Sequence, residues 1–239
     1  GTPISVGFRM DNRPAVIAWL GSGYATNTAN ALYNVEQIWY DPRSLGPNSE
    51  GFLEADVALA TLDSHAADIP TWTMLFSPLT EETHATITGY GNRGTAATGE
   101  AGIDFRRRVA ENMLSVLGSL NDRDEWLFGE TGVNPQSLYM ADFDDPAGEG
   151  TFDPTTGRFD FDVFDGPALP REGTTGGGDS GGPLIVDQAF DRPVVAGVLS
   201  GGARFFAAQR SGNYGTHSFY QPLFLFWDAI VANNSYVYA

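Results

Sequence analysis

The sequence contains neither cysteine nor lysine among its 239 residues. Without cysteine, the chain can form neither a disulfide framework nor a thiolate metal site. Without lysine, all 13 basic residues are arginines, and 30 acidic residues outnumber them to give a net charge of −17. Such a surface repels the phosphates of nucleic acids and the headgroups of anionic membranes. We therefore expect no nucleic-acid partner, and a soluble protein suited to solutions that contain salt.

Long hydrophobic runs are missing as well. No apolar stretch reaches the roughly 18 residues that a membrane-spanning helix needs, so we predict no membrane span. No signal peptide is recognisable, and the first residue is Gly1 rather than methionine. We therefore expect the sequence to be a processed or truncated product.

Short β-type segments make up much of what is present. The 29 glycines and 14 prolines separate many short runs rich in Val, Ile, Thr and Phe, which favours an all-β chain over a helical one. The end of the sequence, from about residue 223 to 233, is predicted to form a helix with Trp227 and Ile230 on its buried side. The predicted strands cover residues 4–8, 15–20, 35–40, 56–62, 85–91, 184–186, 194–199 and 218–225.

A glycine-rich stretch surrounds Ser180 in the sequence Gly-Gly-Gly-Asp-Ser-Gly-Gly-Pro-Leu of residues 176–184. A hydroxyl nucleophile needs a tight turn that exposes its oxygen and directs backbone N–H groups at one point. Gly178 and Gly181-Gly182 supply that backbone freedom. The apolar run 184–186 then predicts a strand, whereas a hydrolase elbow of the Gly-x-Ser-x-Gly type leads into a helix. A glycine-rich hairpin with an idle serine is the structural alternative.

The six residues from Gly178 to Pro183 resemble the nucleophile loop of trypsin- and chymotrypsin-like serine peptidases. The resemblance implies an all-β fold of two antiparallel Greek-key β-barrels with a C-terminal helix. It further implies a secreted or extracytoplasmic serine endopeptidase that hydrolyses polypeptide substrates through an acyl-enzyme on Ser180, without a cofactor or a metal. The oxyanion hole would consist of the backbone N–H groups of Gly178 and Ser180.

Asp56 is the candidate carboxylate. A serine nucleophile needs a base, and that base needs a carboxylate to orient it. Asp56 opens the segment Asp-Val-Ala-Leu-Ala-Thr-Leu, which resembles the family's segment around its catalytic aspartate. A carboxylate buried at this position would need a partner. The alternative is an aspartate at the start of a strand that is exposed to water.

No histidine matches the family's catalytic base. In the family this histidine precedes the aspartate, whereas all three histidines of this chain follow Asp56: His65, His84 and His217. None of them is assigned the role of the base, and the resemblance places His217 near the walls of the specificity pocket. The segment Ile4 to Phe8 looks like the strand that follows the histidine in the family. We therefore expect the histidine just upstream of Gly1, on a cleaved fragment that stays bound or in residues absent from this sequence.

The resemblance also places the residues of the specificity pocket, by their number of positions from Ser180. Thr174 falls at the pocket base, where the trypsin-type enzymes hold an acid, so the resemblance argues against a preference for Arg or Lys. Ser200 and Gly202 would form the wall that pairs with the substrate backbone. Asp179 would need a partner if it is buried, and an arginine is one candidate.

The resemblance also divides the chain into segments. Residues 1–66 would be the remainder of an incomplete N-terminal β-barrel, residues 67–82 an inter-barrel connector, and residues 83–239 the C-terminal barrel with its helix. Without its histidine this chain alone is expected to be inactive. The alternative function is that of a catalytically inactive homologue which serves as a binding or structural module.

Two charge clusters allow more than one interpretation. The run Arg106-Arg107-Arg108 could bind a polyanion, but a solvated or carboxylate-paired face is favoured in a chain this acidic. The segment 141–165 carries eight acids and one base, and oxygen-rich clusters can hold Ca²⁺. Its spacing does not match the twelve-residue calcium loop, so an acidic surface excursion is the preferred interpretation.

Overall fold

The computed structural model describes residues 2–9, 13–46, 53–130, 134–147, 152–153, 158–159, 163–164 and 166–234. Short antiparallel strands dominate the chain, as glycine-separated β-branched runs predict. The helices and strands follow in the order β1 (Ser5–Gly7), α1 (Arg13–Gly21), β2 (Leu32–Tyr40), β3 (Ala58–Leu62), β4 (Thr73–Met74), β5 (Thr83–Gly89), β6 (Asn92–Thr95), β7 (Gly99–Ile103), β8 (Arg108–Leu114), β9 (Val116–Ser119), α2 (Leu120–Phe128), β10 (Ser137–Ala141), β11 (Phe152–Asp153), β12 (Arg158–Phe159), β13 (Pro183–Val186), β14 (Val194–Ala203), β15 (His217–Pro222) and α3 (Trp227–Asn233).

The chain forms two compact units, and both are discontinuous in sequence. Unit 1 comprises residues 1–41, 57–71 and 228–239, and unit 2 comprises residues 42–56 and 72–227. The division of the chain into residues 1–66, 67–82 and 83–239 stays a prediction. In unit 2, the stretch predicted to be a connector contributes β4, which pairs in parallel with β14.

Unit 1 contains a three-stranded antiparallel sheet in the order β1-β2-β3. The side-chain amide oxygen of Asn34 on β2 accepts hydrogen bonds from Ser5 Oγ on β1 (2.9 Å) and from the indole N–H of Trp19 on α1 (2.6 Å). One side chain thus ties the helix and the edge strand to the centre of the sheet.

Helix α1 corrects a strand prediction. The apolar run of residues 15–20 forms part of the helix Arg13–Gly21 and not a strand. The run lacks the polar–apolar alternation of a half-buried strand, its alanines favour a helix, and Pro14 is tolerated because it lies in the first turn. Val16, Ile17 and Leu20 are nevertheless exposed, so the helix buries little of its apolar surface.

Unit 2 is built on an eight-stranded sheet in the order β8-β5-β13-β14-β15-β10-β9, with β4 attached to β14. The two outer strands, β8 and β9, are consecutive in the chain and are joined by Ser115 alone. The Ser115 N–H donates to the carbonyl of Met140 on β10 at 3.1 Å. The sheet therefore curls back toward its own edge and gives the half-barrel of this fold.

Alternation along the strands divides the core of unit 2 into two clusters. On β10, Tyr139 and Ala141 pack in the first cluster with Leu184 and Leu199, while Leu138 and Met140 pack in the second. Successive side chains of a strand point to opposite faces, so one strand supplies both clusters.

The C-terminal helix is confirmed, with a correction to its buried face. A 3₁₀ turn at Leu223–Phe226 precedes α3. Ile230 is 1% exposed, as predicted, but Trp227 is 39% exposed and packs its ring edge-on against Phe76 of unit 2 at 4.5 Å. No helix in the described ranges has the length and apolarity that crossing a bilayer requires.

Candidate active site

The loop that carries Ser180 is a tight turn stabilised by backbone hydrogen bonds. Gly178 has φ +96° and Gly181 has φ +80°, a region that favours glycine. The Gly182 N–H donates to the Asp179 carbonyl at 2.8 Å, and the Gly181 N–H donates to the Leu199 carbonyl at 2.8 Å. The first bond closes the turn, the second attaches it to β14, and the Ser180 side chain is exposed to solvent.

The carboxylate of Asp179 is turned into unit 2, away from the exposed Ser180. It accepts hydrogen bonds from the N–H groups of Gly91 (2.6 Å) and Gly176 (2.9 Å). Each of these two oxygens thus has one backbone donor, and the arginine offered as a candidate partner is represented by the charge of Arg108, which interacts with Asp179 without a hydrogen bond in the described part of the chain. A Cβ atom on Gly89 would lie 2.0 Å from one of these oxygens, so the end of β5 must be glycine to admit the carboxylate.

Two backbone N–H groups of the loop remain available to a ligand. In the part of the chain that the structure describes, no hydrogen bond engages the N–H of Gly178 or of Ser180. These are the donors that the sequence analysis assigned to an oxyanion hole. Donors of this kind stabilise negative charge that develops on a carbonyl oxygen.

Asp56 is exposed, but its carboxylate has a specific partner. The Ser200 hydroxyl donates to Asp56 Oδ2 at 2.7 Å. Ser200 follows Leu199 on β14, and Leu199 holds the Ser180 loop through Gly181. Two consecutive residues of one strand therefore position both the loop of Ser180 and the carboxylate of Asp56.

A buried amide network places the segment that leads to Asp56. The Gln221 side chain, fully buried, donates to the Leu53 carbonyl at 2.7 Å and lies 3.2 Å from Ser200 Oγ. Gln136 donates to Gln221 at 2.5 Å and accepts from the Ala55 N–H at 2.8 Å. Sequence analysis missed both glutamines, because no short motif contains them.

Ala55 adds a conformational signal beside Asp56. Its φ is +51°, in the left-handed region that non-glycine residues seldom occupy, and its side chain is completely buried. Such a conformation persists only where surrounding contacts enforce it, and it is often found at functional sites.

The residues assigned to substrate binding fall into two places. Thr174 and Thr175 meet the hydroxyl of Ser218 at 3.2 and 2.8 Å, which gives a cluster of three hydroxyl groups. Gly202 pairs with Ser218 across β14 and β15. The Ser200 side chain instead points at Asp56.

A cavity of about 400 Å³ lies beside the nucleophile loop, and Thr174, Asp179 and Glu172 are among its lining residues. The carboxylate of Glu172 accepts hydrogen bonds from the N–H groups of Asp144 (2.7 Å) and Leu169 (2.6 Å). Of the acids of this wall, Asp179 and Glu172 are therefore bound to backbone donors of the fold.

His217, which the resemblance places near the walls of a specificity pocket, is not among the residues that line the cavity beside the Ser180 loop. It is 2% exposed and packs against Phe164, Phe205 and Phe219, with ring centroids 4.9, 4.5 and 6.1 Å away. Neither ring nitrogen forms a hydrogen bond within the described part of the chain. Burial, aided by the nearby charge of Arg123, lowers the pKa of His217 to about 3. The imidazole is therefore neutral and a poor proton acceptor.

His84 is also committed elsewhere. Its Nδ1 lies 3.4 Å from Oδ1 of Asp187, whose other oxygen accepts a hydrogen bond from the Thr86 hydroxyl at 2.8 Å. His84 therefore lies beside the carboxylate of Asp187 and not beside that of Asp56.

The structure describes only part of the acidic segment 141–165. Asp142 is buried and its carboxylate accepts hydrogen bonds from the N–H groups of Val163 (2.9 Å) and Phe164 (3.0 Å). Asp160, Asp162 and Asp165 lie outside the described residues. Among the described residues, no group of three or more His, Cys, Asp or Glu side chains could hold a metal ion.

Comparisons with known proteins address the fold. No protein-family model matches the chain, and no curated protein matches it. Among solved structures, the chain is similar to mouse neuropsin, described as a serine protease expressed in the limbic system of mouse brain. That similarity has a TM-score of 0.53 and 15% identity, and it covers 84% of this chain and 71% of neuropsin. The chain therefore has a mostly antiparallel β, chymotrypsin-like fold, and the predicted fold class is confirmed.

Proposed function

We propose that this chain is the nucleophile-bearing part of a serine endopeptidase that forms an acyl-enzyme on Ser180. One observation carries the proposal: Leu199 and Ser200, adjacent on β14, hold the Ser180 loop and the Asp56 carboxylate respectively. A solvent-exposed serine and an oriented carboxylate, both held by β14, are two of the three groups that nucleophilic hydrolysis by serine requires.

The proposed reaction uses the groups of the loop in two steps. Ser180 Oγ attacks the peptide carbonyl carbon while its proton passes to a base, and the N–H groups of Gly178 and Ser180 stabilise the oxygen anion. The base then protonates the leaving amine, and an ester on Ser180 remains. Water hydrolyses the ester by the same route, which releases the acid and restores the serine.

The general base is taken from a histidine outside residues 1–239. Within the described residues His217 is enclosed by aromatic rings, His84 lies beside Asp187, and none of the three histidines forms a hydrogen bond or ion pair with Asp56 or Ser180. Asp56 is exposed and would orient an imidazole that approaches from solvent. The segment carrying that histidine would pack beside Asp56 and Ser180.

The substrate preference follows from Thr174. It lines the cavity beside the loop and offers a hydroxyl rather than a free carboxylate. We expect poor cleavage after Arg or Lys, and a preference for small, apolar or acidic residues. A peptide library cleaved by the native protein measures this. A profile dominated by Arg and Lys would contradict the assignment of Thr174 and implicate Glu172.

Active-site labelling tests the function. The protein at the full length made by its source should react with a serine-directed fluorophosphonate, and peptide mapping should locate the adduct on Ser180. Ser180→Ala should abolish labelling, whereas Ser211→Ala, which removes another exposed serine of unit 2, should leave it unchanged. Labelling at a different residue would contradict the proposal.

A second function is favoured by one observation. Among the described residues, no histidine contacts Asp56 or Ser180. A chain that never acquires a base would be an inactive homologue that binds other proteins. If the native protein is folded but unreactive toward the fluorophosphonate, this binding function replaces the peptidase.

A further inference from the structure

The segment Ile103–Val109, which runs from the end of β7 through the connecting loop into the start of β8, presents an unusual exposed surface. Phe105 is 69% exposed, Val109 66% and Ile103 47%, so three large apolar side chains face water within seven residues. Arg106 and Arg107 are exposed between them. We name this surface the basic–aromatic loop.

An ion pair holds the basic–aromatic loop in shape. The Asp104 carboxylate accepts both terminal N–H groups of Arg108 at 2.7 Å each, and the Arg106 N–H at 3.1 Å. Arg108 also donates to the Arg106 carbonyl at 3.1 Å. The hydrogen-bonded guanidinium of Arg108 is the main reason why the pKa of Asp104 lies well below its usual range. Asp104 is therefore ionised at physiological pH, and the ion pair with Arg108 persists there. The loop is therefore an ordered turn rather than a loose chain.

Phe105 occupies a strained conformation within this turn. Its φ is +59°, where Cβ approaches the following carbonyl, so this conformation is unfavourable for a residue other than glycine. A ring that is mostly in water recovers little of this cost through packing. Strain that the fold itself does not use points to a role for the side chain outside the fold.

The charge of the loop indicates the partner. Within the described part of the chain no carboxylate lies within 4.0 Å of Arg106 or Arg107, whereas Arg108 is paired with Asp104. Unpaired guanidinium groups favour carboxylates, which they bind through two parallel hydrogen bonds. A net charge of −17 opposes the dense phosphates of nucleic acid, but a short peptide brings few charges close.

We propose that the basic–aromatic loop is a docking site for an acidic polypeptide segment that also carries an apolar side chain. Arg106 and Arg107 bind the carboxylates of the segment, and its apolar side chain packs on Phe105. The surface adjoins the cavity beside the Ser180 loop, whose lining includes Arg108 and Val109, but it does not include Ser180, so labelling of Ser180 and binding of the peptide are separate measurements.

Fluorescence anisotropy with the 239-residue chain tests the site. The probe is a fluorescein-labelled peptide rich in glutamate with one phenylalanine, and its counterpart has glutamine in place of each glutamate. We expect the acidic peptide to bind and its glutamine counterpart to bind far more weakly. The double variant Arg106→Gln/Arg107→Gln should lose about tenfold in affinity, from two partly exposed ion pairs.

Two control variants and one further test variant distinguish binding at this site from attraction to any exposed arginine. Arg192→Gln removes an exposed arginine elsewhere in unit 2 and should leave affinity unchanged, as should Ser180→Ala. Phe105→Gly should weaken binding while its thermal midpoint stays equal or rises, since glycine relieves the left-handed strain. Circular dichroism verifies that each variant is folded.

The contrary results are equally definite. No binding of the acidic peptide, or the same loss in Arg192→Gln as in the double variant, overturns the docking site. A single-stranded DNA of matched charge that binds as tightly as the peptide would show a general polyanion site and overturn the polypeptide partner.

Discussion

His217 shows how a single buried residue couples this fold to pH. An imidazole enclosed by three aromatic rings is stable only in its neutral form, and its pKa falls to about 3. In the unfolded chain a histidine has a pKa of about 6.5. Between these two values the unfolded state binds a proton that the folded state does not.

The consequence is a predicted loss of stability in acid. Because the folded pKa of His217 is depressed, the contribution of His217 to the free energy of unfolding should fall as the pH drops from about 6.5 toward 3, by about 1.4 kcal/mol per pH unit. His217→Phe keeps an aromatic ring and removes the titrating group, so its curve should be flatter over that range. Denaturant unfolding from pH 7 to pH 4.5 measures both chains. Parallel curves would contradict the burial-driven shift.

At the scale of elements, the end of β14 organises the candidate site. Leu199 contacts the nucleophile loop, Ser200 contacts Asp56, and Gln221 on the neighbouring β15 supports Ser200 from the interior. A displacement of this strand end would therefore move the nucleophile loop and the carboxylate together.

Gln221→Leu tests this support. The leucine leaves the Leu53 carbonyl and one amide N–H of Gln136 without partners in a buried place, which should cost about 2 kcal/mol or more in unfolding free energy. Gln188→Leu, at an exposed glutamine of the same unit, should change stability by less than about 0.5 kcal/mol. Chemical denaturation compares the two. Equal effects would mean that the network does not hold the segment before Asp56.

Local patterns explain which elements the sequence predicts. Strands β5 and β13 are β-branched or apolar runs bounded by turn residues, and both lie where expected. Helix α1 was predicted wrongly because an apolar run of six residues suits either a strand or a helix. The residues of the Ser180 loop are consecutive in the chain, so the turn and the position of Ser180 in it can be predicted from the sequence alone.

The remainder of the site depends on long-range contacts. Gln221 and Leu53 are 168 positions apart, and Ser200 and Asp56 are 144 apart. Glutamine has no characteristic spacing, and the left-handed Ala55 follows from the network and not from its own preference. Only the folded arrangement shows that these residues act on Asp56.

For the whole molecule the dominant feature is an excess of negative charge. With 30 acids against 13 arginines, like charges crowd the surface of the folded state more than that of the expanded chain. Ion pairs such as Arg108–Asp104 relieve this repulsion at single points and leave most of the carboxylates uncompensated. Dissolved salt is the general remedy, since it shortens the range of repulsion from about 10 Å at 0.1 M to about 3 Å at 1 M.

The thermal midpoint at pH 8 should therefore rise with sodium chloride, by several degrees between about 0.05 and 1 M, as screening removes self-repulsion from the folded state. The same titration at about pH 4.5, close to the ordinary pKa values of Asp and Glu, is the control, because protonation already removes much of the charge there. The salt effect should be smaller at that pH. Differential scanning calorimetry measures both series. Equal slopes at the two pH values would show that salt acts through the apolar core rather than through the charge of −17.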